Sequence, residues 1–549
     1  MNGTARERWT AFEKFTIQSA KSMLGVSKGG LHDRKETWWW NEEVKKAAAD
    51  KKNKFKIWQR SKTEQDLIEY KCAKKNTKRI VAIAKSEASE DLYEKLHTVE
   101  GAERIYRLAK QRSRSTLDCH GAKYIDDIDG HLITDREKIK QRWKAYYEEL
   151  LNEEFPHARA TREIPIFGPV PPVDIQEVTT ALKAMKNGKA VGPDGIPAEV
   201  WKETGKTGCE WLASLFNDIM FNTGMPNEWR ASHLIPFYKN KGSARVCSNY
   251  RGIKLTSHTL KIFERVMVSR LQNIIDLTEN QCGFVKGKST TDAIHAIRIL
   301  MENCKLEKLD LHMVFIDLEK AFDRIPRELI WEALRGRRVP EPYINVIKDM
   351  YDGSTTQVRN QDGVGEKFEV RVGVHQGSAL SPLLFNTVMD YLTSDIQTEA
   401  PWTLLYADDV VLIDTDKNLL QNRLNQWLDE LESGGLRISR TKTEYMYVNL
   451  AENTDDGGSL VLGDQVLPRV DKFKYLGSVL ANDASVDADL GHRISTGWMK
   501  WRQFTGVFCD RKMPPKLKGK LCLKGLSADG NKDKPMGFAR GILAKDANT

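Results

Sequence analysis

Two short apolar runs flank a pair of adjacent carboxylates in the second half of the chain. Residues 404–406 and 410–413 are rich in Val, Ile, Leu and Tyr, which is typical of buried strands. Asp408 and Asp409 separate the runs, so the pattern predicts a tight bend between two strands of one sheet. Two carboxylates held this close cost free energy unless a cation neutralises them. Taken alone, the same residues also fit an ordinary turn.

A second hydrophobic run ends on a carboxylate. Residues 311–316 predict a buried strand, Asp317 follows it directly, and the chain then turns toward a helix. These aspartates supply what a two-metal phosphoryl-transfer site needs, where the cations stand about 3.5–4 Å apart. In this hypothesis Asp317 and Asp408 bridge the metals, Asp409 completes the set, and Mg²⁺ suits the oxygen ligands. Asp323, further along, is interpreted as a cap or an ion-pair partner near the helix start.

A Gly- and Ser-rich loop lies between the two carboxylate strands. Residues 373–380 contain glycines that let backbone approach a ligand closely. Ser381 and Pro382 predict a helix start, with Ser381 as the N-cap and Pro382 at the first helical position. The loop also fits a plain junction between loop and helix, but that does not explain its place between two acidic strands.

The N-terminal part of the chain is basic and lacks proline before Pro156. Between Lys45 and Arg114, Lys and Arg are dense and alternate with aromatic residues, which predicts long helices with basic exposed faces. Two interpretations remain equally supported, a nucleic-acid surface and a merely solvated helical face. Prolines near residues 165–172 then mark a connector, and a helix is predicted over residues 175–185.

Composition narrows the setting of the protein. The 549 residues carry 85 Lys and Arg against 76 Asp and Glu, a formal charge of +9, which mildly favours a polyanionic partner. The eight cysteines show no paired spacing, so a reducing compartment inside the cell is expected, without distinguishing nucleus from cytoplasm. No apolar run is long enough to cross a membrane, and the N-terminus does not read as a signal peptide.

The order of the motifs resembles the palm of reverse transcriptases. Phe-x-Asp-x-x-x-Ala-Phe-Asp at 315–323, Gln-Gly-x-x-x-Ser-Pro at 376–382 and Tyr-Ala-Asp-Asp at 406–409 follow that family's sequence. The flanking segments resemble the polymerases of LINE-type (non-long-terminal-repeat) retrotransposons. They are residues 38–44, 234–242, 249–257, 281–293, 435–443 and 475–477.

The resemblance implies the catalytic residues. Asp317, Asp408 and Asp409 correspond to the metal-binding carboxylates, with two Mg²⁺ as the cofactor and Mn²⁺ as a substitute. Lys442 corresponds to a residue that faces the leaving pyrophosphate and can protonate it. The segment Tyr475-Leu476-Gly477 corresponds to one near the primer strand.

The resemblance also implies the nucleotide contacts. Phe322 would lie under the sugar of the incoming nucleotide, and Gln376 would contact that nucleotide. Arg251, with Lys239 or Lys241, would hold the triphosphate, since a guanidinium makes bidentate phosphate contacts and a lysine acts as a point charge. For each lysine a solvated charge is an equal alternative, and Phe322 also fits a core aromatic.

The predicted fold is α+β, a right-hand polymerase with fingers, a palm built on an antiparallel sheet and a partial thumb, preceded by a basic helical region. Two departures from the family are expected: no endonuclease domain precedes the polymerase, and the polar, Gly-rich C-terminus indicates a truncated thumb. The expected boundaries are 1–37 undefined, 38–155 basic helical region, 156–174 connector, 175–308 fingers, 309–480 palm, 481–520 partial thumb and 521–549 disordered tail.

The function expected from these motifs is RNA-directed DNA synthesis on an RNA template, with a DNA primer and deoxynucleoside triphosphates as partners. Two alternatives stand beside it. A catalytically weak or inactive remnant that binds RNA is disfavoured by the intact carboxylate set. An RNA-dependent RNA polymerase is disfavoured by Phe322 and by Ala407 before the aspartate pair.

Overall fold

The computed structural model describes residues 3–25, 39–96, 124–157, 163–360, 363–451, 457–511 and 513–519. The chain divides into two compact units. The first comprises residues 1–24 and 121–490, and the second comprises residues 25–120 and 491–549. Among the described residues, no helix is both long and apolar enough to traverse a bilayer. The predicted disordered tail, residues 521–549, lies outside the described part of the chain.

Helices make up much of the described chain. They are α1 Ala5–Leu24, α2 Glu42–Ser61, α3 Glu64–Leu96, α4 Arg136–Leu150, α5 Ile175–Lys183, α6 Ala198–Glu203, α7 Gly205–Asp218, α8 His258–Leu271, α9 Thr290–Glu307, α10 Ala321–Arg324, α11 Arg327–Gly336, α12 Glu341–Tyr351, α13 Ser381–Thr393, α14 Lys417–Ser433 and α15 Asp487–Phe508. The helix predicted after the connector is confirmed as α5, whose N-cap Asp174 and Glu177 form a capping box.

The strands form short hairpins and two four-stranded sheets. They are β1 Ile125–Asp126, β2 Leu132–Ile133, β3 Ala231–Tyr238, β4 Tyr250–Leu255, β5 Leu311–Ile316, β6 Thr355–Asn360, β7 Gly363–Glu369, β8 Thr403–Tyr406, β9 Asp409–Asp414, β10 Glu444–Val448, β11 Val461–Leu462, β12 Gln465–Val466, β13 Lys472–Tyr475 and β14 Ser478–Ala481. The described chain is therefore a mixed helix-and-sheet protein, as the sequence predicts.

The central sheet has the strand order β10-β5-β9-β8, and all its neighbours are antiparallel. All six residues of β5 are buried, because both faces of the sheet are covered. Alternate residues face opposite sides: Val314 and Ile316 pack into one core cluster, while Met313 and Phe315 pack into another. This double burial explains why β5 and β9 read as continuous apolar runs.

A second sheet has the order β4-β3-β6-β7, with β3 and β6 parallel and the other neighbours antiparallel. Strands β6 and β7 lie within residues 309–480, the range expected for the palm, yet they pair with strands from the range expected for the fingers. One contiguous sequence range therefore contributes to both sheets.

The start of α13 differs from the prediction. Ser381 is the first residue of the helix rather than its N-cap, and the preceding residue, Leu380, makes no side-chain cap. The Ser381 hydroxyl instead donates to the backbone oxygen of His375 at 2.9 Å. The prediction of Ser381 as a cap was wrong, because the hydroxyl closes the Gly- and Ser-rich loop onto the helix start.

Helix α1 lies in the N-terminal segment that the sequence left undefined. It packs against the rest of the first unit through Trp9. The Trp9 side chain is fully buried and lies edge-on to Trp229, with 5.1 Å between ring centroids. Phe12 stacks on Trp201 at 4.6 Å. The packing of aromatic rings from distant segments fixes this helix. At its start Thr4 and Glu7 form a capping box, in which Glu7 N donates to Thr4 Oγ1 at 3.3 Å and Thr4 N donates to Glu7 Oε2 at 2.9 Å.

We expect Trp9→Ala to destabilise the protein by about 3–5 kcal/mol, since it removes a large buried ring and leaves a cavity. Phe15→Ala, on the same helix, is the matched control because Phe15 is 71% exposed. Urea denaturation measures both changes. Equal effects of the two substitutions would contradict the packing of α1 described above.

The second unit contains an antiparallel pair of helices, α2 and α3. Asn41 caps α2 by accepting from the backbone N–H of Val44, and Lys62 turns the chain in the left-handed conformation. The two helices are joined by the stack of Trp58 on Tyr70, at 5.8 Å. The predicted long helices are thus confirmed for residues 42–61 and 64–96. Residues 97–114, also part of that prediction, lie outside the described chain.

Candidate active site

The aspartate pair occupies the bend between β8 and β9, as predicted. Tyr406 pairs with Asp409 across the hairpin, so Ala407 and Asp408 are the two turn residues. Ala407 has a φ of 58°, which is uncommon for a residue with a Cβ. The turn presents Asp408 at the tip, and Asp409 begins β9.

Asp317 follows the last residue of β5, and the sheet register brings it to the same end of the sheet. Ile316 pairs with Val410, so Asp317 lies next to the aspartate turn. The Asp317 backbone is fixed on both sides, since its oxygen accepts from Ser439 N at 2.8 Å and its N–H donates to Thr443 Oγ1 at 3.3 Å. Three aspartates separated by about ninety residues of sequence therefore converge at one edge.

The three carboxylates at this edge interact electrostatically. Loss of surrounding water and the charges of Asp408 and Asp317 raise the pKa of Asp409 to about 6, although Asp409 keeps an exposed surface. Burial first, and then the charge of Asp317, also raise the pKa of Asp408, while Arg251 opposes both shifts. Three carboxylates that repel one another and offer only oxygen donors fit a hard divalent cation.

Lys442 contacts the cluster directly. Its Nζ lies 3.1 Å from Oδ2 of Asp317, and about two thirds of its side chain remains exposed. An exposed ion pair of this kind contributes little to stability. The lysine is therefore free to exchange its partner for a substrate phosphate.

Two further cations approach from the second sheet. Arg251 on β4 is exposed, and Lys239, just after β3, donates to the backbone oxygen of Ser248 at 3.1 Å. Burial lowers the pKa of Lys239, with additional repulsion from Arg251 and Lys442 and opposing attraction from nearby carboxylates. Lys239 therefore interacts electrostatically with Asp317, and Arg251 with Asp408 and Asp409.

Lys241 lies near a different carboxylate. Its charge opposes the rise that burial causes in the pKa of Glu444, the first residue of β10. Lys239, the other lysine expected near a triphosphate, interacts electrostatically with Asp317.

The Gly- and Ser-rich loop makes backbone hydrogen bonds to Phe322 and, through Gln376, to β4. The backbone oxygen of Phe322 accepts from Val374 N at 2.9 Å, which brings the Gly- and Ser-rich loop onto α10. The Phe322 ring is partly buried and stacks on Phe385 of α13, with 4.1 Å between centroids. The backbone oxygen of Gln376 accepts from Lys254 N at 2.8 Å, so the loop also adjoins β4.

Asp323 does not cap α10, whose N-cap residue is Lys320, so the capping interpretation was wrong. Burial raises the pKa of the Asp323 carboxyl to about 6, and the nearby charges of Lys254, Lys320 and Lys239 oppose that rise. Lys254 itself is buried, and its pKa falls to about 7 through burial and the repulsion of Arg327.

Sequence reasoning missed Lys254. It stands on the inward face of β4, in register with the buried Gly252, and this alternation was the available signal.

The segment expected near the primer forms the β13–β14 hairpin. Leu476 and Gly477 are its two turn residues, with φ values of 47° and 95°. Tyr475 is buried, and burial together with the charge of Asp409 raises its pKa. Phe473 stacks on Phe315 of β5 at 3.8 Å, which fixes the hairpin to the central sheet.

A comparison with protein families matches residues 238–480 to the reverse transcriptase (RNA-dependent DNA polymerase) model. That range includes the three aspartates, the lysines Lys239, Lys241 and Lys442, and the β13–β14 hairpin except its last residue. Residues 238–480 are therefore similar to reverse transcriptases.

The chain is also similar in sequence to proteins of mobile elements. The chain is 25% identical over 331 residues to the probable RNA-directed DNA polymerase from transposon BS of Drosophila melanogaster, covering 57% of this chain and 36% of that protein. It is 26% identical over 332 residues to the RNA-directed DNA polymerase from mobile element jockey of the same species, covering 57% and 35%. The matching region thus spans about a third of the length of these relatives.

Among solved structures, the apo telomerase of Candida tropicalis aligns with a TM-score of 0.38 and 13% identity, covering 59% of each chain.

A cavity of about 590 Å³ lies on the side of Lys442. Lys442 lines it, together with Arg437 and Arg324, and both arginines lie over the Phe155 ring, at 5.5 and 4.6 Å. Three glutamates share its wall and offset part of the positive charge. Lys442, which pairs with Asp317, is therefore the link between this cavity and the three aspartates, none of which lines it.

Another set of possible metal ligands lies outside the matched range, residues 238–480. Asp127, Asp129 and His131 come together in the turn between β1 and β2. Oδ1 of Asp127 accepts the backbone N–H groups of Asp129 and His131, at 2.9 and 2.8 Å. This hydrogen bonding is that of an Asx turn, and it accounts for the cluster.

Proposed function

We propose that this chain is the RNA-directed DNA polymerase of a LINE-type retrotransposon, copying RNA into DNA from a DNA primer with deoxynucleoside triphosphates. The observation that carries the proposal is the convergence of Asp317, Asp408 and Asp409 at one sheet edge inside the range that is similar to reverse transcriptases. The names of the relatives, which belong to a transposon and a mobile element, support it.

The proposed cofactor is a pair of Mg²⁺ ions, for which Mn²⁺ can substitute, held by the three aspartates. When bound, such ions neutralise charge that develops on the attacking and leaving oxygens. The aspartates fit them because all their donors are oxygens and their mutual repulsion is relieved by a cation. Lys442, already paired with Asp317, is placed to donate a proton to the departing pyrophosphate.

The incoming nucleotide is proposed to lie between the two sheets. Arg251 and Lys239 would hold the triphosphate, with Lys241 as a further candidate whose charge also acts on Glu444. Phe322 would lie under the sugar and Gln376 beside the nucleotide. The primer end would contact the Tyr475-Leu476-Gly477 turn, since Tyr475 is close enough to Asp409 for that charge to raise the pKa of Tyr475.

A right-hand organisation follows as part of the proposal. Residues 175–308 would form the fingers together with the β6–β7 hairpin, which pairs with β3. The rest of 309–480 would form the palm, and 481–520, which contains α15, would begin a thumb. We also propose a reducing compartment inside the cell, since the six cysteines that the structure describes are free thiols.

Primer extension on homopolymeric RNA with a labelled deoxynucleotide tests the proposed activity directly. Incorporation that depends on RNA, primer and divalent metal would support it. RNA binding without incorporation would favour the alternative, an inactive retroelement remnant that only binds RNA.

The template RNA is proposed to contact the α2–α3 pair as well. Five basic side chains lie close together on α3, all exposed and none in an ion pair with a described acidic residue: Lys71, Lys74, Lys75, Lys78 and Arg79. By contrast, Lys45 and Lys54 of α2 lie 3.1 and 3.9 Å from Glu42 and Asp50.

We expect replacement of these five residues by glutamine to weaken RNA binding and flatten its salt dependence. Removing one lysine–phosphate or arginine–phosphate interaction should reduce the magnitude of the log–log slope by roughly 0.7–0.9. The control replaces Lys45 and Lys54, whose charges are already compensated on the surface, and should change the slope less per residue. Fluorescence anisotropy over a salt series measures both, and an unchanged slope in the fivefold variant would identify a merely solvated face.

A further inference from the structure

The turn that carries Asp408 needs support from outside its own hairpin. Ala407 adopts a left-handed φ of 58°, a conformation that L-residues with a Cβ rarely occupy. A two-residue turn of this kind persists only where surrounding contacts over-determine it. The position of the Asp408 carboxylate depends on those contacts.

Gln281 supplies them. It is fully buried, and its side-chain Oε1 accepts from the backbone N–H of Ala407 at 3.2 Å and of Gly283 at 2.8 Å. Both neighbours are backbone donors, so the oxygen of the amide must face them. The Gln281 Nε2 is buried without a hydrogen-bond partner among the described residues. The oxygen is thus the atom that this side chain contributes.

The backbone on either side of Gln281 forms hydrogen bonds to β8, the strand that leads into the same turn. Leu405 donates to Asn280 O at 3.0 Å, and Cys282 donates back to Leu405 O at 2.8 Å, so the segment adds a short parallel bridge beside β8. A Cβ on Gly283 would stand 2.5 Å from Ala407 N. No larger residue fits that position without moving the turn.

Helix α13 holds the segment from the other side. Nδ2 of Asn386, which is buried, donates to the backbone oxygen of Gly283 at 2.6 Å. The turn, the Gln281 segment and α13 are therefore linked by two buried amide side chains. Displacing the Gln281 oxygen would release the Ala407 N–H and leave it buried and unpaired, which favours a different turn conformation.

We propose that Gln281 is a positioning residue that fixes the Asp408 carboxylate for metal binding by holding Ala407 in its left-handed conformation. The inference rests on the proposed polymerase function. Gln281 itself touches no reacting atom. Its effect passes through one hydrogen bond to the residue preceding Asp408.

The test uses Gln281→Met, which keeps length and approximate volume but removes the acceptor oxygen, and Gln281→Glu, which retains an acceptor. The matched control is Gln397→Met. Gln397 is a partly buried glutamine whose oxygen accepts from Thr278 and Asn280, and it makes no hydrogen bond to the aspartate turn. Both methionine variants remove amide hydrogen bonds that support the same segment.

We expect Gln281→Met to lower kcat by roughly 10²-fold, as a small misplacement of a catalytic group does, and to raise the Mg²⁺ concentration at half-maximal activity. The KM for deoxynucleotide and RNA binding should change little. Gln281→Glu should recover part of kcat. Gln397→Met should lower thermal stability without moving the metal midpoint.

Two measurements distinguish a positioning role of Gln281 from a loss of stability, and they do not depend on whether the protein is an active polymerase. Hydrogen–deuterium exchange of the peptide that contains Ala407 should speed up in Gln281→Met and not in Gln397→Met. Mn²⁺ affinity, measured by electron paramagnetic resonance without nucleotide, should fall only in Gln281→Met, even if the wild type fails to extend primers. Unchanged exchange and unchanged Mn²⁺ affinity in a folded Gln281→Met protein would overturn the proposal. If Gln281→Met does not fold, Gln281→Asn replaces it, because the shorter side chain withdraws the acceptor oxygen from Ala407 N. Faster exchange of the Ala407 peptide and weaker Mn²⁺ binding than in Gln397→Met would support the proposal, and values equal to those of Gln397→Met would overturn it.

Discussion

Asp408→Asn is expected to abolish primer extension while leaving RNA binding nearly unchanged. The substitution keeps the size of the side chain but removes a negative charge from the edge where Asp317, Asp408 and Asp409 converge. A metal that neutralises charge developing in the reaction contributes several kcal/mol. At about 1.36 kcal/mol per tenfold change in rate, kcat should fall by at least roughly 10³-fold. Asp317→Asn should behave in the same way.

The control for this prediction is Asp414→Asn. Asp414 ends the same strand, β9, at its far end, where it pairs with Arg423 at 3.2 Å. Its substitution should cost stability and leave most of the activity of the folded protein. Steady-state extension and RNA anisotropy, run on the same preparations, give the comparison. If the Asp408→Asn protein extended primers at the rate of the Asp414→Asn protein, the assignment of the aspartates as metal ligands would be wrong.

Shrinking Phe322 is expected to change the choice between deoxyribose and ribose. The ring follows the strand that ends on Asp317 and is fixed by its stack on Phe385 and by the Val374 hydrogen bond. An immobile apolar ring beneath the sugar would exclude a 2′-hydroxyl by volume and offer it no hydrogen bond. Phe322→Val and Phe322→Ala should therefore raise ribonucleotide use far more than they lower deoxynucleotide use.

The expected change is roughly 10–200-fold in the ratio of kcat/KM for dGTP to that for GTP, the range that small differences in a pocket produce. Phe263→Val is the control, since Phe263 is a fully buried aromatic of the same unit that packs against Phe216. It should lower stability and keep the sugar ratio. If the Phe322 variants also keep the wild-type ratio, Phe322 is a core residue only.

The sequence by itself determined the elements that carry the aspartates. Continuous apolar runs predicted β5, β8 and β9 because these strands are buried on both faces, and a carboxylate that ends such a run must lie at the sheet edge. The Gly- and Ser-rich loop and α13 were also readable, apart from the cap at Ser381. These features depend on neighbours in sequence, and local patterns record them.

Contacts between distant segments were decided only by the tertiary structure. The pairing of β6 with β3, the burial of Trp9 and the meeting of Lys254 with Asp323 leave no periodic signal, since each depends on what the rest of the fold brings near. The clearest example is Gln281, which reads as one polar residue in a loop. Its partner Ala407 is 126 positions away, and packing alone turns that amide into the support of the aspartate turn.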